Sequence, residues 1–180
     1  MSKIWKSRFA MKLLCPAYKS DKPDPRRMEV FKALHEQVRL QHRMKMKTDG
    51  WRLLDSEVPI ENDWLIGRID DVFQSIDGEV SADEYVSSSV PAMYKYLDAA
   101  ISACCLRDYY DIDVSASVVP RGGEATRVPE ALIQAVRSMM MSEEFQRIFG
   151  LSDDELLEYA NPASGICTYC ANRECRRKTQ

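Results

Sequence analysis

The chain is 180 residues long, 45% hydrophobic and 29% charged, with six cysteines and a formal net charge of −3. That length predicts one domain, 1–180, with enough chain for a real core. No run of roughly 18 apolar residues occurs, which excludes a helical membrane span, and the basic start lacks the apolar stretch of a secretory signal, so a cytoplasmic protein with no membrane partner is expected.

The small net charge conceals three blocks. Residues 1–47 carry thirteen Lys/Arg against four Asp/Glu, 48–160 eight against twenty-three, and 161–180 four against one. Basic ends suit phosphates, and an acidic middle suits cations.

Residues 1–20 interleave Ile4, Trp5, Phe9, Met11, Leu13 and Leu14 with lysine and arginine, predicting a helix-like arm that ends near Cys15-Pro16. Ser20 to Arg27, with two prolines, reads as a linker. Val30, Phe31, Leu34 and Val38 recur at helical spacing and predict a helix from Arg27 to Lys47, stopped by Gly50. Three strands follow: Trp51 to Ile60, Trp64 to Gln74 and Glu79 to Ser88. Asp77-Gly78 marks a hairpin between the last two. Pro91 opens a helix to about Leu106, Asp111 to Val119 is a fourth strand, and Pro129 to Phe149 reads as one long helix stopped by Gly150. Ser152 and Glu155 have capping-box spacing for a short helix ending near Tyr159. The order predicts an α/β fold, a mixed sheet flanked by helices.

Two constellations carry chemistry. Cys167, Cys170 and Cys175 have Cys-x2-Cys-x4-Cys spacing, one ligand short of a tetrahedral zinc or iron–sulfur site, and Cys15 is the distant candidate for the fourth. In the hairpin, pairing of residues whose numbers sum to about 154 sets Asp70 beside Glu84 on one face. Two opposed carboxylates repel unless a cation lies between them, which suits magnesium or manganese. The competing reading is a pair of carboxylates on an exposed sheet face.

In their order these features resemble the RecB-like branch of the PD-(D/E)xK nucleases, in particular its iron–sulfur members, the CRISPR-associated RecB-like exonucleases and AddB-type nuclease domains. The likeness runs from about residue 15 to 175. It rests on Phe-x-x-Leu-His-Glu at 31–36, Ser-Glu-Val-Pro-Ile at 56–60, Gly-Arg-Ile-Asp at 67–70, Asp-Glu-Tyr at 83–85 and the terminal cysteines. The resemblance implies a restriction-endonuclease-like sheet and a metal site of His35, Asp70 and Glu84. It also implies a 4Fe–4S cluster on Cys15, Cys167, Cys170 and Cys175, with residues 1–26 and 161–180 forming the cluster-binding part. The implied activity is metal-dependent hydrolysis of a DNA phosphodiester, as an exonuclease at DNA ends or on single strands, within a larger nucleic-acid-processing complex.

The chain departs from that pattern where the Glu-x-Lys lysine falls on Val86, and the Gln-x-x-x-Tyr motif is not legible in 92–98. Lys95, one turn into the following helix, is a candidate migrated lysine and the third catalytic candidate beside Asp70 and Glu84. Arg68 is a second, though guanidinium replaces ammonium poorly. A non-catalytic DNA-binding or assembly subunit that keeps the fold and cluster is the alternative, and the cysteine spacing alone also permits a zinc-stabilised interaction module. Elsewhere, Cys104 and Cys105 read as core thiols, Met139 to Met141 as packing and His42 as a surface residue. Asp71 and Asp83 should point to the opposite face, and Arg173, Arg176, Arg177 and Lys178 form a basic tail suited to phosphate.

Overall fold

Alternation of apolar and polar residues organises the centre of the chain into a long hairpin. In the computed structural model, which describes residues 3–20, 24–152, 154–161, 165–172 and 175, β1 is Ile4–Trp5, β2 Arg52–Glu61, β3 Leu65–Gln74, β4 Val80–Val86, β5 Val114–Pro120 and β6 Thr126–Arg127. The helices are α1 Lys6–Leu14, α2 Pro25–Thr48, α3 Met93–Tyr110, α4 Glu130–Met141 and α5 Glu143–Phe149. Short 3-10 helices follow at Glu155–Tyr159 and Ile166–Tyr169. The fold is thus mixed α/β, a six-stranded mixed sheet flanked by helices.

Strand β3 anchors the sheet. One edge pairs antiparallel with β2 from Ile66 to Gln74. The other edge is shared: β1 pairs parallel at Leu65 and Ile66, and β4 pairs antiparallel at Asp71 to Gln74. The β3–β4 pairs sum to 154, as in the assumed hairpin register. Between these two partners, the edge from Gly67 to Asp70 lies outside both ladders. Strand β4 meanwhile continues beside β5 in parallel as far as Val86 and Pro120. β3 and β4 therefore part at Asp70 and Glu84.

The core lies between the sheet and the α1/α3 layer. Phe9, Ile69, Ile101, Val114 and Val118 are fully buried there, joined by Ile133 and Val136 of α4. Helix α2 covers the opposite face at Val38, Tyr85 and Val119. Its first turns stand clear of the sheet, so Val30 and Phe31 of the expected apolar stripe are exposed. Asp24 caps α2, accepting the Arg26 amide at 2.9 Å, with Pro25 at the first helical position, where its missing N–H costs nothing.

Several boundaries correct the sequence reading. The predicted helix over 129–149 is two helices: Ser142 adopts extended dihedrals and its hydroxyl accepts the Phe145 amide, starting α5 anew. Helix α3 runs a turn past Leu106 because Arg107 is held by the Val114 carbonyl and by Glu130. The two-residue strands β1 and β6 are too short to give a periodic signal. Among the described residues, no helix is long and apolar enough to cross a membrane.

Candidate functional site

The point where β3 and β4 part opens into a groove of about 860 Å³. His35, Asp70, Tyr85, Val86 and Lys95 line it, with Phe31 and Lys32 on the overhanging start of α2. Of the sequence-predicted site residues, His35, Asp70 and Lys95 thus line one groove, together with Val86. Glu84 sits beneath, buried at 3% exposure. Arg68 leans away toward Glu57, 3.8 Å off.

Asp70 closes the parting of the strands with its side chain. Its Oδ2 accepts the Tyr85 amide at 2.8 Å, a role the ladder's carbonyls fill further along. The same oxygen accepts His35 Nε2 at 3.0 Å. Burial pushes the Asp70 carboxyl up, but the His35 hydrogen bond and charge, with help from Lys6 and the Tyr85 amide, more than offset it, so its pKa lies below the ordinary value. The hydrogen bond to Asp70 in turn raises His35.

Glu84 belongs to a second, buried cluster. Lys6 of α1 donates to Glu84 Oε1 and, at 2.9 Å, to Ser102 Oγ, and Ser102 Oγ donates to Glu84 Oε1 at 2.6 Å. Asp98 Oδ1 lies 3.7 Å from Lys6 Nζ, and that oxygen has no hydrogen-bond partner although it is buried. Burial, with the nearby charges of Asp70 and Asp98, pushes Glu84 up to about 8 against the opposing effect of Lys6. Burial lowers Lys6, yet Asp98 and Glu84 outweigh it and raise the ammonium. We take Lys6 as charged, because three carboxylates act on one amine. Lys95 Nζ stands 3.9 Å from Asp98 Oδ2, and despite burial it too is raised, chiefly by Asp98.

On the other face, Asp71 and Asp83 point away from the groove, as the alternation predicts. Arg43 forks onto both oxygens of Asp71 at 2.6 Å, and Tyr85 Oη donates to Asp71 at 2.7 Å. Asp83 is held by His42 at 2.7 Å and by Ser81 at 2.6 Å. His42 is therefore no surface residue: it is buried, a correction to the sequence reading. The missed signal is spacing, since His35, Val38 and His42 fall at i, i+3 and i+7 on one helical face.

The two chain ends meet in a small apolar cluster apart from the main core. Cys15, Cys175 and Ile166 are buried in it and Cys170 packs against it, while Cys167 follows Ile166 on the same 3-10 helix. The Asn161 amide points at Cys15 Sγ, 3.3 Å away, and the Asn172 amide at Cys170 Sγ, 3.4 Å away. Backbone bonds lace the ends together, Ala171 N to Lys19 O at 2.9 Å among them. All six cysteines are free thiols. Soft sulfurs with amide N–H donors aimed at them are a donor set that fits a thiolate-bound metal or iron–sulfur centre. Among the described residues, however, no group of three or more His, Cys, Asp or Glu side chains is arranged as a formed ligand set. Cys104 is fully buried in the core and Cys105 packs against it; burial raises both thiols to about 12. Of the methionine run, Met140 packs while Met139 and Met141 are exposed. The basic residues Arg173, Arg176, Arg177 and Lys178 lie outside the described residues.

No family model matches the chain, and no curated protein matches it.

Proposed function

We propose that the chain is a RecB-like, metal-dependent DNA nuclease of PD-(D/E)xK architecture whose ends are tied by an iron–sulfur cluster on Cys15, Cys167, Cys170 and Cys175. The observation that carries this reading is the parting of β3 and β4 at Asp70 and Glu84, with His35 brought onto Asp70 from the other face of the sheet. His35 and Asp70 beside an open groove are donors of the kind a magnesium or manganese ion takes, with Glu84, held by Lys6 and Ser102 beneath, as the further acid the reading calls on. Such an ion would neutralise charge on the scissile phosphate and lower the pKa of water.

The chain's own residues do the rest. Asp70 is held in one rotamer by the Tyr85 amide, so its carboxylate meets an incoming ligand already oriented. Lys95 offers its ammonium from the groove wall to a phosphate oxygen. Lys32 and exposed Phe31 on the overhang supply charge and a stacking face for a single strand.

Val86 favours one competing reading, a DNA-binding subunit that has stopped cutting, because a valine buried in the groove wall can neither carry charge nor donate. Incubation of the protein with manganese and end-labelled single-stranded DNA separates the two. Nucleotide release that Asp70→Asn abolishes is expected of the nuclease. Binding without release, converted to release by Val86→Lys, would establish the non-cutting subunit instead.

A further inference from the structure

The position of Lys6 follows from the first strand. Ile4 and Trp5 pair with Leu65 and Ile66, so the next residue in register lies against Gly67, at the start of the β3 edge that β4 has left. A Cβ on Gly67 would come within 2.6 Å of Lys6 Cβ. That contact involves the root of the lysine side chain rather than its mobile end, so any larger residue at 67 must push α1 away. The glycine of Gly67-Arg-Ile-Asp70 is therefore what lets Lys6 pass close over β3 and reach Glu84.

Lys6 lies among buried acids. Glu84 and Asp98 are 3% and 2% exposed, Asp70 is near enough to act on Lys6, and Asp98 Oδ1 lacks a hydrogen-bond partner. Lys95 stands 3.9 Å from Asp98 and His35 holds Asp70, but Lys6 is the cation that reaches Glu84, with Ser102 bridging the two. A buried lysine is costly unless something needs its charge. Val86, two residues after Glu84 on the same strand, shares the face of Glu84 and supplies no charge there.

We propose that Lys6, passed across Gly67 from the β1–α1 corner, is the positioning lysine of the candidate site and takes over from the chain's first helix the role that Val86 cannot fill. It acts through Glu84, fixing the carboxylate's rotamer together with Ser102 and supplying the positive charge beside it. Lys95 keeps the groove-facing part of the task. The inference rests on the nuclease reading for its consequence, and on the Lys6–Gly67–Glu84 geometry for its content.

The test measures manganese-dependent cleavage of end-labelled single-stranded DNA by the full chain and its variants, with thermal melting alongside. Lys6→Met should lower kcat about a hundredfold with KM for DNA unchanged, and Val86→Lys added to it should restore kcat to within tenfold. Ser102→Ala removes only a hydroxyl from a helix, so it folds even if Lys6→Met does not, and should lower kcat about tenfold. Wild-type kcat in Lys6→Met or in Ser102→Ala overturns the proposal, as does a loss in folded Lys6→Met that Val86→Lys leaves unrepaired. An inactive wild type that Val86→Lys awakens overturns the Lys6 assignment while sparing the nuclease fold. Absence of cleavage from both wild type and Val86→Lys overturns the nuclease reading and this proposal with it.

Discussion

His35 Nε2 stands 3.0 Å from Asp70 Oδ2, joining α2 to the open end of β3 across 35 residues of sequence. Its pH dependence has a defined sign. His35 is raised above 6.5, so its contribution to stability is fully present below that value and is lost as pH rises through the raised pKa. Asp70 is depressed below 3.8, so its contribution is present above that value and is lost as pH falls through the depressed pKa. Both groups contribute fully between 3.8 and 6.5. In chelator, the urea midpoint should fall as pH climbs above 6.5, a fall that Glu84, pushed up to about 8, shares, and His35→Gln should make it shallower. A variant that keeps the wild-type slope would assign the slope elsewhere.

Lys95 lines the groove beside Val86 and leans on Asp98 at 3.9 Å. Removing its ammonium strips charge from the groove wall without touching the core. Lys95→Ala should cut DNA cleavage by roughly tenfold to a hundredfold, a loss of about 1.4–2.7 kcal/mol in the transition state. Cleavage kinetics at saturating manganese read this directly, and an unchanged rate would remove Lys95 from the catalytic candidates.

The proposed iron–sulfur centre predicts colour. Protein purified without oxygen should be brown with broad visible absorbance, and Cys15→Ser should bleach it and lower the melting temperature, because Cys15 joins the end of the first helix to Asn161 and packs with Ile166 and Cys175. Cys104→Ala, a core change remote from that cluster, should leave the colour intact. A colourless wild type with one equivalent of bound zinc would replace the iron–sulfur assignment with a zinc one.

Ser142 separates α4 from α5 and caps the second by accepting the Phe145 amide at 3.3 Å. Ser142→Ala should cost about 1 kcal/mol, read as a lower urea midpoint. An alanine that stabilises instead would mean the two helices merge into the single one their sequence suggests.

Much of this was legible in the sequence where one period dominates. The β3–β4 hairpin follows from alternation and Asp77-Gly78, and with it the register of Asp71 to Gln74 against Val80 to Asp83; that ladder ends just before Asp70 and Glu84, where the strands part. His35 could be placed on a helix leading toward them, but not at Asp70, because the reach of a side chain around a sheet edge has no periodic signature. Lys6 was hidden for a different reason. In an arm rich in lysine, the one buried cation looks like its exposed neighbours, and only the two-residue strand before it fixes where it points. His42 was hidden likewise by the arginines and lysines around it, although it shares a helical face with Val38. The kink at Ser142 was overlooked because apolar periodicity runs through it, while a serine followed by Glu143 and Glu144 marks a helix start.

Manganese-dependent cleavage of end-labelled single-stranded DNA, compared between wild type and Asp70→Asn, tests the central claim most directly. The asparagine keeps an oxygen for the Tyr85 amide, so the fold is retained while the carboxylate charge is lost. The account predicts nucleotide release by the wild type and a loss of roughly a thousandfold in the variant, about 4 kcal/mol of transition-state stabilisation. Equal rates in the two proteins, or no release by the wild type under any divalent cation, would contradict it.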